Sequence, residues 1–189
     1  MLAHKGTATI ETKRLILRPY SMQDAEAMFV NYANDPEVTK FLTWEPHGKI
    51  ENTVALLAEW VPKYDDMSQY NWGIVLKQSQ EIVGGIGAID IVENDMRCEV
   101  GYCVSKFCWG QGIMSEALAA VLGFLFTRVG FNRIQAKHDL NNPASGRVME
   151  KNGMKREGVL REFFLNKDIG PCDLALCSIL KSEYVRHYS

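Results

Sequence analysis

The chain has 189 residues and a formal net charge of −2, with 21 lysines and arginines against 23 aspartates and glutamates. This near balance of charges does not indicate the basic surface of a nucleic-acid-binding protein. A hydrophobic fraction of 47% is ordinary for a folded chain. The length suits one domain, so we expect residues 1–189 to fold as a single unit with its core at about residues 12–184.

Targeting and redox signals are weak. The N-terminal segment MLAHKGTATIETKR has no apolar run behind its charges and is not typical of a signal peptide. The longest apolar run, residues 117–126, is too short for the ~20 residues of a membrane-spanning helix. Five cysteines without a CxxC pair indicate reduced, mostly buried thiols. The sequence therefore predicts a cytoplasmic protein with no metal and no membrane or nucleic-acid partner.

The first half of the chain predicts a strand, two helices with a shorter helix between them, and three strands. A strand over residues 12–20 precedes a helix that begins at Ser21, with Asp24 placed as in a capping box. A short helix opens at Asp35, and a longer helical pattern covers residues 49–64. Three further strands are predicted at residues 70–76, 82–92 and 97–104. Their short connections indicate an antiparallel meander.

The second half predicts two helices among three strands. An apolar stripe from Met114 to Val129 predicts a helix, and residues 132–139 predict a strand. In NNPASGRVMEKNGM, Asn142 is suited to cap the next helix. Two last strands are predicted at residues 155–165 and 172–180. This order predicts an α/β fold with a mixed, mostly antiparallel central sheet of about seven strands flanked by about four helices.

A glycine loop, WGQGIMS, lies between the third strand of the meander and the next helix. Backbone N–H groups at a helix N-terminus are unpaired and lie at the positive end of the helix dipole. Glycines let a bulky anion approach them without a Cβ in the way. The loop is therefore either a diphosphate site or a simple turn. Neither GxxxxGK[ST] nor GxGxxG is present, which argues against a nucleotide triphosphatase or a dinucleotide-binding protein.

Six stretches in chain order carry a family resemblance: TKRLILRPYSMQDAEAMF, NDPEV, EVGYCV, WGQGIMSEAL, NPASGRVMEKNGM and DLALCSILKSEY. With them the chain resembles the GNAT superfamily of N-acetyltransferases, and most of all its branch of ribosomal-protein alanine acetyltransferases of the RimJ/RimL type. The resemblance implies the GNAT (acyl-CoA N-acyltransferase) fold and acetyl-CoA as co-substrate. It also implies direct attack by a primary amine, with a protein N-terminal amine as the leading acceptor.

The resemblance further implies where acetyl-CoA binds. The backbone amides of residues 111–115 would hold the diphosphate, and the backbone of the strand before the loop would pair with the pantetheine arm. The implied binding residues are Cys103, Val104, Gly110, Gln111, Gly112, Ile113, Met114, Ser115, Asn142 and Ser145. Trp109 and Met114 depart from the usual superfamily loop, [Q/R]xxGx[G/A]. Because the contacts are mainly to backbone, we expect the site to be retained.

Two side chains are implied as catalytic. An alkyl amine has a pKa of ~10.4 and must lose a proton before it attacks. Glu99 matches the family position of a general base, with Glu162 as the rival, Asp173 as a more distant candidate and a water as a further alternative. Many superfamily members protonate the departing thiolate with a tyrosine, but Met149 stands at that position. Ser145 matches the serine that the RimJ/RimL branch has instead.

The acceptor stays open at this stage. Residues 35–70 would supply its wall, and a polyamine, an amino-acid derivative or an antibiotic amine is compatible with the sequence. A catalytically silent acyl-CoA-binding module is a second function, and a generic phosphate-binding protein is a third. The joint presence of Glu99 and Ser145 favours the enzyme. The sequence is compatible with a monomer or a homodimer.

Overall fold

The computed structural model describes residues 1–166 and 169–188, and its strands join in one sheet. The strands are β1 Ile10–Glu11, β2 Leu15–Arg18, β3 Tyr70–Leu76, β4 Ile82–Val92, β5 Arg97–Val104, β6 Arg133–Asp139, β7 Lys155–Asn166 and β8 Gly170–Leu180. The helices are α1 Ala25–Met28, α2 Pro36–Thr39, α3 Ile50–Trp60, α4 Ile113–Phe124, α5 Pro143–Lys151 and α6 Lys181–Tyr188. The eight strands are ordered β1-β2-β3-β4-β5-β6-β8-β7.

The predicted α/β fold with a mixed sheet is confirmed, with eight strands where about seven are expected. The added strand, β1, has two residues that pair antiparallel with β2, and two residues are too few to show an alternating pattern. Helix α6 is also absent from the sequence prediction. Within the described part of the chain, no helix is long and apolar enough to cross a membrane.

Apolar clusters cover both faces of the sheet. On one face, α4 buries its predicted stripe, in which Leu118, Val121 and Leu122 are fully buried against the sheet. On the other face, α1 and α3 contribute Met28 and Leu57 to a second cluster. Burial of one leucine side chain contributes about 1.5–3 kcal/mol. These two layers fix the central strands between them.

The thiols behave as the sequence predicts. All five cysteines are free, and all are buried except Cys103, which is partly exposed. Burial raises the pKa of the Cys103 thiol to about 12, despite a backbone hydrogen bond at Gly85 that acts in the opposite direction. A thiol in this state is a poor nucleophile.

Strands β5 and β6 separate from each other part of the way along their length. They pair in parallel, whereas the neighbouring pairs are antiparallel, and their register runs only from Arg97–Arg133 to Glu99–Gln135. Beyond Glu99, β5 continues to Val104 paired with β4, while β6 continues paired with β8. No strand in the described ranges covers the β6-facing edge of residues 100–104. This splay leaves backbone groups open to a ligand.

Candidate active site

The loop between β5 and α4 has the backbone conformation that its glycines permit. Gly110 and Gly112 have φ angles of 73° and 75°, in the left-handed region that side chains disfavour. A Cβ on Gly110 would meet nothing within 4 Å, and Gly112 is the N-cap of α4. The loop thus presents an open surface at the helix N-terminus, and these residues fit a diphosphate group.

The two loop residues that depart from the superfamily pattern have structural contacts. The Met114 side chain is buried in the core, so this change lies beneath the backbone rather than on the open side. The Trp109 indole donates a hydrogen bond to the carbonyl oxygen of Val104 at 3.0 Å, which holds the loop against the end of β5. A carbonyl oxygen has two lone pairs. Val104 therefore keeps the capacity to accept from a ligand.

Contacts from the turn between β1 and β2 hold the loop in place, and no sequence motif indicates them. The Arg14 guanidinium donates to the carbonyl of Gln111 at 2.9 Å and to Glu116 at 2.6 Å. The Thr12 hydroxyl and the Arg14 backbone N–H also donate to Glu116, at 2.6 and 2.8 Å. Burial raises the pKa of Glu116, but the bonds from Thr12 and Arg14 outweigh it, and the net pKa is lowered. The carboxylate therefore stays charged and holds the first turn of α4.

Glu99 lies in a buried ion pair. Its side chain is buried, and Oε2 accepts from Lys137 Nζ at 2.9 Å and from Gln135 Nε2 at 3.1 Å. The Lys137 ammonium also lies 4.4 Å from the centre of the Phe163 ring, a cation–π distance. Among the described residues, the hydrogen bonds to this carboxylate converge on Oε2.

A glycine opens the sheet surface beside Glu99. Glu99, Gly101 and Cys103 alternate onto the same face of β5. Gly101 is exposed, and a Cβ there would meet nothing within 4 Å. The next residue on this face of β5, Cys103, pairs with Gly85 on β4. A Cβ on Gly85 would lie only 2.2 Å from the Tyr20 hydroxyl. The open sheet surface at Gly101, next to the splay, therefore does not extend to Gly85.

Ser145 faces the splay from the first turn of α5. The predicted N-cap is confirmed, because the Asn142 side chain accepts from the Ser145 N–H at 3.3 Å. The Ser145 Oγ lies 3.1 Å from the hydroxyl of Tyr102 on β5. Met149 is 1% exposed and belongs to the core, so it offers nothing to a departing thiolate. Tyr102 lies within EVGYCV, and nothing in that motif indicates its contact with Ser145.

The rival carboxylates have a different arrangement. Glu162 is exposed, with a φ of 49°, at an irregularity of the β7–β8 pairing. Its backbone N–H donates to the Asp173 side chain at 2.8 Å. Its neighbour Phe163 is the residue that reaches Lys137. The structure therefore places the loop, the unpaired edge of β5, Glu99 and Ser145 around one splay, while the Glu162 backbone N–H donates to the Asp173 side chain across the β7–β8 hairpin.

A splayed parallel strand pair whose two strands are connected by a glycine loop and a helix is the framework of an acyl-CoA-dependent acyltransferase. The family model for the acetyltransferase (GNAT) domain matches residues 14–155, and the chain belongs to this family. It is an enzyme, an N-acetyltransferase, and the family uses acetyl-CoA as co-substrate.

Individual relatives agree with this assignment. The chain is 34% identical to the uncharacterized N-acetyltransferase YoaA of Bacillus subtilis, over 91% of this chain and 96% of the relative. It is 25% identical to the [ribosomal protein uS5]-alanine N-acetyltransferase of Escherichia coli, over 82% of each. A solved acetyltransferase (GNAT family) from Bacillus anthracis superposes with a TM-score of 0.79 at 26% identity, covering 93% of this chain and 100% of that one. The resemblance seen in the sequence is thereby confirmed at the level of the family and its fold.

Proposed function

We propose that the protein transfers the acetyl group of acetyl-CoA to the α-amino group of a polypeptide N-terminus. The observation that carries this proposal is the Glu99–Lys137 ion pair beside the open sheet surface at Gly101. The buried carboxylate at this position is already neutralised by a lysine. A site of this kind suits an acceptor that arrives without a large positive charge.

The acid–base chemistry of amines then selects among acceptors. An α-amino group has a pKa of ~7.7–8.0 and a side-chain alkyl amine one of ~10.4. At about pH 7.5, roughly a third of α-amines are neutral, against about one alkyl amine in a thousand. Polyamines and aminoglycosides are polycations, and their binding requires carboxylates that are not already paired with a cation. The E. coli relative, named for the alanine of a ribosomal protein, supports the same acceptor class.

Each residue then has a role in the proposed reaction. Glu99 Oε1, or a water that it binds, accepts the proton that the amine loses as its nitrogen bonds to the acetyl carbon. The carbon–sulfur bond breaks with both electrons on sulfur, and Ser145 donates a hydrogen bond to that charge. The backbone N–H groups of residues 111–115 bind the diphosphate, and the free edge at Cys103 and Val104 pairs with the pantetheine arm. Asn142 holds the helix turn that carries Ser145.

The test is thiol release from acetyl-CoA with a panel of amines, combined with mass spectrometry of the products. The panel contains peptides with a free N-terminal Ala or Ser and an internal lysine, the same peptides with a blocked N-terminus, spermidine and an aminoglycoside. We expect acetylation of the free peptides at the N-terminus only, with the blocked peptides as matched controls.

Faster turnover of spermidine or of the aminoglycoside would overturn the proposed acceptor class and make a small-molecule acetyltransferase the better assignment. If no amine released thiol while acetyl-CoA still raised the melting temperature, a silent binding module would replace the enzyme.

A further inference from the structure

The Tyr102 hydroxyl makes a two-point contact with Ser145. It lies 3.1 Å from the Ser145 Oγ and 3.1 Å from the Ser145 carbonyl oxygen. Tyr102 is on the arm of β5 that lies beyond the last β5–β6 pair, and Ser145 is in the first turn of α5, which follows β6. The contact therefore bridges the two elements that the splay separates.

We infer that Tyr102 is a positioning residue, which turns the Ser145 hydroxyl so that its own proton points to the sulfur of the bound thioester. This inference rests on the role proposed above for Ser145. A serine hydroxyl has three staggered side-chain rotamers, and in a helix it can turn to nearby backbone carbonyls instead. A fixed partner is needed to favour one of these directions. The Tyr102 ring supplies it, because the ring packs against the core cluster of β5 and α4.

Each hydroxyl has one proton to donate, and the direction in which Tyr102 donates decides whether the Ser145 proton is available to the sulfur. If Tyr102 donates to the Ser145 carbonyl, the Ser145 hydroxyl can donate to Tyr102, and no proton is left for the sulfur. If Tyr102 donates to Ser145 Oγ, the serine proton is free to point into the splay. A developing thiolate favours the second arrangement, because hydrogen bonds to a charged acceptor are about twice as strong as neutral ones. Burial also raises the pKa of Tyr102, so that it remains a donor at neutral and alkaline pH.

The step balances without transfer of a proton from either hydroxyl. The acetyl carbon forms a bond to the amine nitrogen and loses its bond to sulfur, which keeps the electron pair. Ser145 O–H donates to the sulfur while Tyr102 O–H donates to Ser145 Oγ, and both O–H bonds stay intact. The thiolate then takes a proton from solvent, and the amine proton leaves through the base. Tyr102 thus acts on the leaving group through Ser145 and not by direct contact.

A double-mutant cycle of Tyr102→Phe and Ser145→Ala tests the inference. We measure kcat for thiol release at saturating acetyl-CoA, and the Kd of acetyl-CoA by calorimetry without acceptor. Tyr102→Phe is expected to lower kcat about 3–10-fold, the range for loss of one hydrogen bond, with Kd within about twofold of the wild type. In the Ser145→Ala background the same change is expected to have no further effect on kcat.

The matched control is Tyr32→Phe, which also removes a hydroxyl bonded to a neighbour, here at 3.0 Å from the Tyr20 hydroxyl. Its kcat is expected to stay at the wild-type value. Independent losses that multiply in the double variant would overturn the inference, as would equal losses in kcat and in acetyl-CoA affinity for Tyr102→Phe.

The cycle also separates this inference from the proposed acceptor. If peptides are not acetylated, the same cycle is run on the amine that is, or on slow hydrolysis of acetyl-CoA, because every acceptor expels the same thiolate. Coupling between the two variants would then support Tyr102 although the acceptor class had failed. A wild-type kcat for Ser145→Ala would overturn the roles of both residues.

Discussion

Lys137 Nζ lies 2.9 Å from Glu99 Oε2, and the Phe163 ring covers the same ammonium group. The two side chains come from adjacent arms of the β5–β6 pair at the point where the strands separate. Removal of one partner from such a pair leaves an uncompensated buried charge. In the proposed reaction, the pair therefore couples the stability of the fold to the charge that an acceptor meets.

The first prediction concerns loss of the lysine. Lys137→Met is expected to lower the free energy of unfolding by about 3 kcal/mol, because the buried Glu99 side chain loses its ion-pair partner. The same variant is expected to gain activity on spermidine relative to an N-terminal peptide, since a carboxylate without its lysine partner attracts polycations. Urea denaturation and the ratio of kcat/KM for the two acceptors measure the two effects.

Lys155→Met is the matched control for this variant, because Lys155 pairs with Glu183 on the surface, where the lysine side chain is 72% exposed. It is expected to change the free energy of unfolding by less than about 1 kcal/mol and to leave the acceptor ratio unchanged. If both lysine variants shift the ratio equally, the effect is one of net charge and not of the Glu99 pair. Adding Glu99→Gln to Lys137→Met should recover most of the lost stability.

The second prediction concerns the glycine loop. Gly112 has a φ of 75°, and a Cβ there would lie 3.6 Å from the Arg14 guanidinium. Gly112→Ala is expected to cost about 1–2 kcal/mol of stability through the left-handed conformation alone. Gly112→Asp adds a carboxylate against the diphosphate and is expected to weaken acetyl-CoA binding by a further ~100-fold. Calorimetric titration of both variants separates strain from charge, and equal affinities in the two would contradict the loop assignment.

The sequence predicts those parts of the fold that rest on local patterns. The helical stripe of α4 and the Asn142 cap of α5 involve residues at most a few turns apart, and the structure confirms both. Two residues of β1 and the φ of 49° at Glu162 could not be predicted, because β1 is too short to show a pattern and the run GVLREFFLN contains no glycine or proline at the irregularity. Local spacing carries no signal for a bulge that depends on the partner strand.

The candidate site shows the same limit more sharply. The family resemblance directs attention to Glu99 and Ser145, but their neighbours Lys137 and Tyr102 come from elements that meet through the parallel register and the splay. The brace between Arg14 and Glu116 joins residues 102 positions apart in the chain. A single sequence does not encode such pairs as a spacing. They follow only when the order of the strands in the sheet is known.

The third prediction concerns the helix turn that carries Ser145. A Cβ on Gly146 would lie 2.8 Å from the imidazole of His138 on β6, too close for an ordinary contact. Gly146→Ala should displace the start of α5 and lower kcat about 10-fold or more through misplacement of Ser145. His138→Ala in the same chain removes the clash and is expected to restore kcat, because Ala itself favours the helix. Failure of that rescue would show that the contact does not position the turn.

The last prediction concerns the acid limb of stability. Hydrogen bonds from Arg133 and Ser178 lower the pKa of Glu157 from its ordinary value of 4.5 to about 2. Because the folded-state pKa is depressed, the stabilisation is fully present above pH 4.5 and is lost as the pH falls from 4.5 to about 2. The Glu157 side chain is 39% exposed, so solvent screens the pair and the effect is modest.

Glu157→Gln cannot titrate, and its stability should therefore fall less steeply over this pH interval than that of the wild type. Urea denaturation at several pH values, with and without about 1 M salt, measures the difference, and salt should narrow it. Glu59→Gln is the control, because the pair that Glu59 forms with Lys63 is an exposed i,i+4 pair. Parallel pH curves for the wild type and Glu157→Gln would show that the Arg133 pair contributes no acid-sensitive stability.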